Sequence, residues 1–206
     1  MQITVNDLGK KFNREWIFRH LSTSFETGIA CSITGGNGSG KSTFLQVLCG
    51  FIPSNEGSIS YSLDGKEIQQ EDFYQYFDIS TPYLELIEEF TLHEFLDFHF
   101  KFKKLKQGIS IDDFTALVHL AKDKNKQIRN FSSGMKQRLK LGLCFYSQSK
   151  VCLLDEPTTN LDEFGIDWYR KSVQTILNDK LVLISSNQKH EFDFCASNIH
   201  IPTFKS

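Results

Sequence analysis

Eight consecutive residues, Gly35-Gly36-Asn37-Gly38-Ser39-Gly40-Lys41-Ser42, carry the densest chemistry in this chain. They fit the pattern GxxxxGK[ST], placed between an apolar run that reads as a buried strand (Ile29–Thr34) and a helical stretch (Gly40–Leu48). In that context glycines let backbone N–H groups turn inward around phosphate oxygens, and the helix start adds partial positive charge. Lys41 has the reach for the β- and γ-phosphates of a nucleotide. Ser42, followed by Thr43, offers a hydroxyl to Mg²⁺. The pattern therefore predicts an Mg²⁺–ATP site. The competing reading, a glycine-rich turn that binds nothing, leaves a flexible loop with no ligand to order it.

A second pattern lies at Val151-Cys152-Leu153-Leu154-Asp155-Glu156, an apolar strand ending in two acids. The carboxyl ends of strands are where α/β sheets bind ligands. Asp155 is placed to join the Mg²⁺ shell, and Glu156 to orient or deprotonate an attacking water. Alone, an apolar strand ending in an acid says little; its force comes from pairing with the glycine loop. A third pattern, Phe131-Ser132-Ser133-Gly134-Met135-Lys136-Gln137-Arg138, starts a helix. Ser132 reads as an ordinary N-cap, or as part of a second helix N-terminus offered to phosphate.

The glycine loop, the serine–glycine helix start and Leu153-Leu154-Asp155-Glu156-Pro157-Thr158-Thr159-Asn160-Leu161-Asp162, in this order and spacing, resemble the ATP-binding cassette (ABC) ATPases over nearly the whole chain. The resemblance implies an α/β fold. That fold has a P-loop NTPase core with a mixed or parallel sheet, an N-terminal antiparallel β subdomain and an inserted α-helical subdomain. It also implies further roles. Phe12 takes the place of the aromatic that stacks on adenine, against a plain reading as a small core Phe, and Trp16 is a weaker candidate. Ser132 and Gly134 would contact ATP held by a second copy of the cassette. Asp162 would couple the two sites, or simply cap a helix, or both.

Three departures from the family pattern stand out. The signature reads Phe-Ser-Ser-Gly-Met at 131–135. Pro82 stands where the family usually has a glutamine, and proline has no side-chain amide to offer metal or water. Asn187 stands at the switch histidine; its amide can donate to a γ-phosphate but does not titrate near neutral pH. His190 reads as a residue on a helix surface.

These patterns need a scaffold of alternating strands and helices, and the sequence supplies one. Short strands are expected at Ile3–Val5, Leu21–Phe25, Ser58–Ser62, Leu181–Ser185 and Asn198–Ile201, with Asp64-Gly65 as a hairpin turn. Thr91 caps a helix with apolar positions through Leu105. Ile111–Ala121, Ser132–Phe145 and Asp162–Leu177 also read as helices. The expected organisation is a single ABC ATPase domain over 1–206 with a helical insertion at about 82–148. A lysine cluster (Lys101, Lys103, Lys104, Lys106) reads as a solvated helix end or as a face near anionic lipid.

The bulk numbers agree. At 206 residues, 40% hydrophobic and 23% charged, the chain can bury a substantial core. Its 19 phenylalanines suit a Phe-rich core or an aromatic partner surface. A net charge of -2 gives no global field for nucleic acid. Five cysteines, odd in number and without a CxxC pair, argue for small buried thiols in a reducing cytoplasm and against disulfides or zinc. Met1–Leu8 is not a secretory leader, and no window is apolar enough to cross a bilayer.

The expected function is the ATP-binding and ATP-hydrolysing subunit of a transporter. It would dimerise around two MgATP with a second cassette and drive separate integral membrane subunits from the cytoplasmic face, without nucleic acid. Two alternatives stay open. One is a nucleotide-gated module with weak hydrolysis, suggested by Pro82 and Asn187. The other is a non-transport ABC ATPase, disfavoured because Thr43–Phe131 is too short for a long coiled coil and only one cassette is present.

Overall fold

The structure is a computed structural model and describes residues 1–205. Two sheets organise it. An antiparallel sheet has the order β2-β1-β4-β5, built from β1 (Gln2–Phe12), β2 (Glu15–Glu26), β4 (Glu56–Leu63) and β5 (Lys66–Glu67). A second sheet has the order β6-β7-β8-β3-β9, from β3 (Cys31–Thr34), β6 (Phe77–Ser80), β7 (Val151–Asp155), β8 (Leu181–Ser185) and β9 (Ser197–His200). Every neighbouring pair in it is parallel.

Of the mixed-or-parallel alternatives, then, this second sheet is wholly parallel, and the antiparallel strand pairs lie in the first. The first strands are also longer than the sequence suggests, and β1 is an inner strand of its sheet. The polar interruption at Asn6-Asp7 is absorbed by an irregularity between Val5 and Leu8, with Asp7 at φ 48°. Ile3, Val5 and Leu8 thereby all stay buried. The Asp64-Gly65 turn closes β4 onto β5 with φ 51° and 77°, the pair of positive values that a two-residue hairpin requires.

All residues of β7 and β8 are buried, as expected of parallel strands covered on both faces. Their alternation divides the interior. Cys152, Leu154, Val182 and Ile184 face one core with Leu92, Phe114, Leu139, Phe145 and Tyr169. Val151, Leu153, Leu181 and Leu183 face the other, shared with Phe44, Leu48 and the antiparallel sheet. The helices are α1 (Lys41–Leu48), α2 (Phe73–Tyr76), α3 (Leu92–His99), α4 (Ile111–Leu117), α5 (Ser133–Tyr146) and α6 (Glu163–Gln174). Capping boxes at Thr91/Glu94 and Ser110/Asp113 start α3 and α4.

Three helices are shorter than their apolar periodicity suggests. The chain leaves α3 at His99 because Leu105 pairs with Ser147 as a β-bridge and Lys106 N–H donates to Tyr146 O at 2.7 Å. The lysine cluster therefore does not form a solvated helix end. Lys103 donates to Phe77 O at 2.6 Å and pairs with Asp78 at 3.2 Å, and Lys106 pairs with Asp179. α4 stops before His119, whose φ of 57° ends it. α6 ends at Gln174. The five cysteines are free, and four are buried. Burial pushes the Cys49 thiol up to about 11 and Cys195 to about 12, so neither is a reactive thiolate.

Candidate nucleotide site

The parallel strands β3, β7 and β8 deliver their carboxyl ends to one rim. From β3 the chain enters the glycine loop, where Gly35, Gly38 and Gly40 have φ of 146°, 74° and 102°. A Cβ on Gly35 would lie 2.5 Å from Ser39 Oγ, and one on Gly40 only 2.2 Å from the Ile17 side chain. Glycine is thus demanded at both by backbone conformation and by space. Gly40 is also the N-cap of α1 and provides no side-chain cap. The first-turn N–H groups of α1 therefore point into the loop with no side chain capping them, the arrangement that binds anions.

Lys41 is 5% exposed, and its ammonium donates to the loop's own carbonyls, Gly35 O at 2.9 Å and Gly36 O at 3.3 Å. Across the rim, Asp155 is 2% exposed and accepts from Ser185 Oγ at 2.6 Å. Glu156 follows at φ 46°, its N–H bonded to Ser185 O at 2.8 Å. One cleft of about 520 Å³ is lined by Asn37, Gly38, Ser39, Gly40, Lys41, Ser42, Thr43, Asp155 and Glu156, with Ile17, Pro82, Tyr83 and Thr159 completing it. Gly35 and Gly36 stand behind Lys41 rather than on the wall.

Tyr83, Thr159 and Ile17 escaped the sequence reading. Tyr83 adjoins the noted Pro82, but Ile17, on β2, carries no motif. Buried Lys140 on α5 donates to Thr81 O and Pro82 O, both at 3.3 Å, fixing that wall. Burial lowers the Lys140 pKa, with Lys136 adding to the effect.

Other candidates lie elsewhere. Phe12 is 48% exposed at the end of β1 and does not line the cleft, so it is not the small core Phe of the plain reading. Trp16 packs under the Arg19 guanidinium, 4.6 Å from its ring centroid. Ser132 caps α5 by accepting from Met135 N–H at 3.2 Å, and Asp162 caps α6 by accepting from Gly165 N–H at 2.8 Å. Neither they nor Gly134 reach the cleft of their own chain. A Cβ on Gly134 would lie 3.1 Å from Asn160 O, so α5 starts close against the loop that follows Glu156. Asn187 donates to Asn37 Oδ1 at 3.0 Å. His190 is not on a helix surface: it lies half-buried in the 3-10 turn Lys189–Glu191, with Nε2 3.0 Å from Thr158 Oγ1.

This donor set fits a nucleotide and a cation. Ser39 Oγ is buried without a partner, Lys41 lacks a carboxylate partner, and Ser42 and Asp155 share the cleft. Among the described residues no group of three or more His, Cys, Asp or Glu side chains can hold a metal. Two protein ligands with phosphates and water making up the rest is the usual way Mg²⁺ is bound.

The family model described as ABC transporter matches residues 18–159. The chain belongs to the ABC transporter family. It is an ATP-binding and ATP-hydrolysing cassette. It is 29% identical over 194 residues to the uncharacterised ABC transporter ATP-binding protein YybJ of Bacillus subtilis, covering 92% of this chain and 87% of that protein. It is 27% identical over 203 residues to the lantibiotic transport ATP-binding protein SrtF of Streptococcus pyogenes, covering 96% and 85%. Among solved structures, the dimeric bacterial ABC transporter cassette MJ0796 superposes with a TM-score of 0.81 at 19% identity, over 96% of this chain and 93% of that one. The described residues of this ABC cassette include no helix long and apolar enough to cross a membrane.

Proposed function

We propose that two copies of this cassette close around two MgATP and drive the membrane subunits of an efflux system from the inner face of the membrane. The observation that carries the reading is the convergence of Lys41, Ser42, Asp155 and Glu156 on one cleft beneath the uncapped start of α1. Lys41 exchanges its carbonyl partners for phosphate oxygens. Ser42 and Asp155 hold Mg²⁺, which when bound neutralises phosphate charge. Glu156 takes a proton from the attacking water as the γ-phosphoryl group is transferred. Phe12, exposed at the end of β1, is the proposed adenine platform. Ser132, Gly134 and Asp162 serve the partner's nucleotide, because none of the three lines the cleft of its own chain.

Efflux is favoured by relatives named for lantibiotic transport and, at 26% identity, for linearmycin resistance. A second cleft of about 410 Å³ at the far end of α1, edged by Phe51, Phe73, Tyr74 and Lys103, is the proposed seat of a membrane subunit. Phe51 and Tyr74 are 66% and 61% exposed there. A second reading, nucleotide-gated binding with slow turnover, draws on Pro82 in the cleft wall and on Asn187 tied to Asn37. Steady-state ATPase assays of the parent and of Glu156→Gln separate them. Turnover abolished by the substitution supports hydrolysis by this site, and equal rates would overturn it.

A further inference from the structure

Glu191 is a buried carboxylate that the nucleotide cleft does not use. None of its surface is exposed, although it sits in a short turn after β8. Burying a carboxylate is costly unless it is well hydrogen-bonded. Its Oε1 accepts from Thr158 N–H at 2.7 Å and also from the Thr158 hydroxyl, while Oε2 has no partner among the described residues. Because that hydroxyl donates to the carboxylate, it accepts from His190, whose Nε2 is 3.0 Å away. The turn itself is held from α6. Tyr169 Oη donates to Glu191 O at 2.8 Å, and Arg170 donates to His190 O while pairing with Asp193 at 3.0 Å.

What this post supports is a strained loop. Glu156 and Asn160 bracket it at φ 46° and 68°, left-handed values that non-glycine residues keep only when their surroundings impose them. From α5, Gln137 Nε2 donates to Pro157 O at 2.8 Å. From the opposite side the loop is gripped through both polar groups of Thr158, by Glu191 and His190. With that grip removed, the loop would keep only the Gln137 contact to Pro157 O and the backbone bond from Glu156 N–H to Ser185 O.

We propose that Glu191, assisted by His190, is a positioning residue for ATP hydrolysis: through Thr158 it holds the Glu156–Asn160 loop in the geometry that aims Glu156 into the cleft. This rests on Glu156 being the base. The test uses the full chain, with kcat, KM, nucleotide affinity and melting temperature measured for Glu191→Ala, Thr158→Val, Thr158→Ser and His190→Ala. Thr158→Val keeps the shape and the N–H but loses the hydroxyl; Thr158→Ser keeps the hydroxyl. Expected for Glu191→Ala and Thr158→Val is a fall of about ten- to a hundredfold in kcat, with KM and ADP affinity within about twofold. Thr158→Ser regains most of that turnover, and His190→Ala falls between. If Glu191→Ala does not fold, Thr158→Val decides. Overturning it would take kcat per folded molecule unchanged in Thr158→Val while the melting temperature drops, which marks a merely structural contact. Full turnover in Glu156→Gln removes the base reading and this proposal with it; an inactive Glu156→Gln beside a fully active Thr158→Val removes this proposal alone.

Discussion

Asn187 Nδ2 donates to Asn37 Oδ1 across 3.0 Å, tying the loop after β8 to the glycine loop after β3. Asn187 is not a helix cap. The N–H of Gln188 is taken by Ser186 Oγ at 2.8 Å, and the turn that follows has no side-chain cap. An exposed amide–amide bond is worth on the order of 1 kcal/mol, so the side chain can trade Asn37 for a phosphate oxygen. Asn187→Ala is expected to lower stability by no more than about 1 kcal/mol while turnover per folded molecule falls. Asn187→His should raise hydrolysis and add an inflection within about pH 5 to 8 to the parent's profile. Melting curves and pH–rate profiles on both variants check this; turnover indifferent to either change would remove Asn187 from the reaction.

Lys41→Ala removes a buried ammonium that now rests on Gly35 O and Gly36 O. Losing a charge-assisted phosphate contact should weaken nucleotide binding by about 1.5–3 kcal/mol, or roughly 10- to 150-fold in Kd. Calorimetric titration of ATP into the variant measures it directly.

Glu156→Gln preserves shape while removing the proposed base. With Mg²⁺ and ATP this variant should accumulate as a closed dimer if the α5 start at Ser132–Gly134, which does not line its own cleft, takes its phosphate from a partner as proposed. Light scattering should then give a mass near twice that of the nucleotide-free chain. A monomer with ATP bound, at high protein concentration, would contradict the paired-site reading.

His99, at the end of α3, supplies a pH dependence of stability. Burial lowers its pKa against the pull of the Asp78 carboxylate, with Lys103 adding to the lowering. Its Nε2 has no partner among the described residues. The folded protein therefore resists protonating His99, whereas the unfolded chain takes the proton near pH 6.5. Stability is full above about 6.5 and declines as pH falls from there toward the lowered folded value. Melting temperatures from pH 7.5 downward should show a steeper loss for the parent than for His99→Phe; parallel curves would contradict it.

The glycine loop and the Asp155-Glu156 strand end were legible in the sequence because both are local. Their backbone conformations and residue types lie within a few positions, and one lysine, one hydroxyl and two acids suffice to define the chemistry. The caps at Thr91, Ser132 and Asp162 were legible for the same reason. Helix ends were not. α3 stops at His99 because Leu105 finds Ser147, a partner 42 positions away that no local period announces.

Only the tertiary structure decided the strand order β6-β7-β8-β3-β9, and with it the meeting of Lys41, Asp155, Glu156 and Ser185 at one rim. It alone made Ile17 a cleft wall, joined Asn187 to Asn37, and buried Glu191 against Thr158. These contacts join residues 23 to 150 positions apart, as with Ile17 and Gly40 or Asn37 and Asn187. Which of many equally apolar strands lies beside which follows from packing two cores at once. Composition and spacing determine that such cores form, but the particular neighbours are chosen by the global fit.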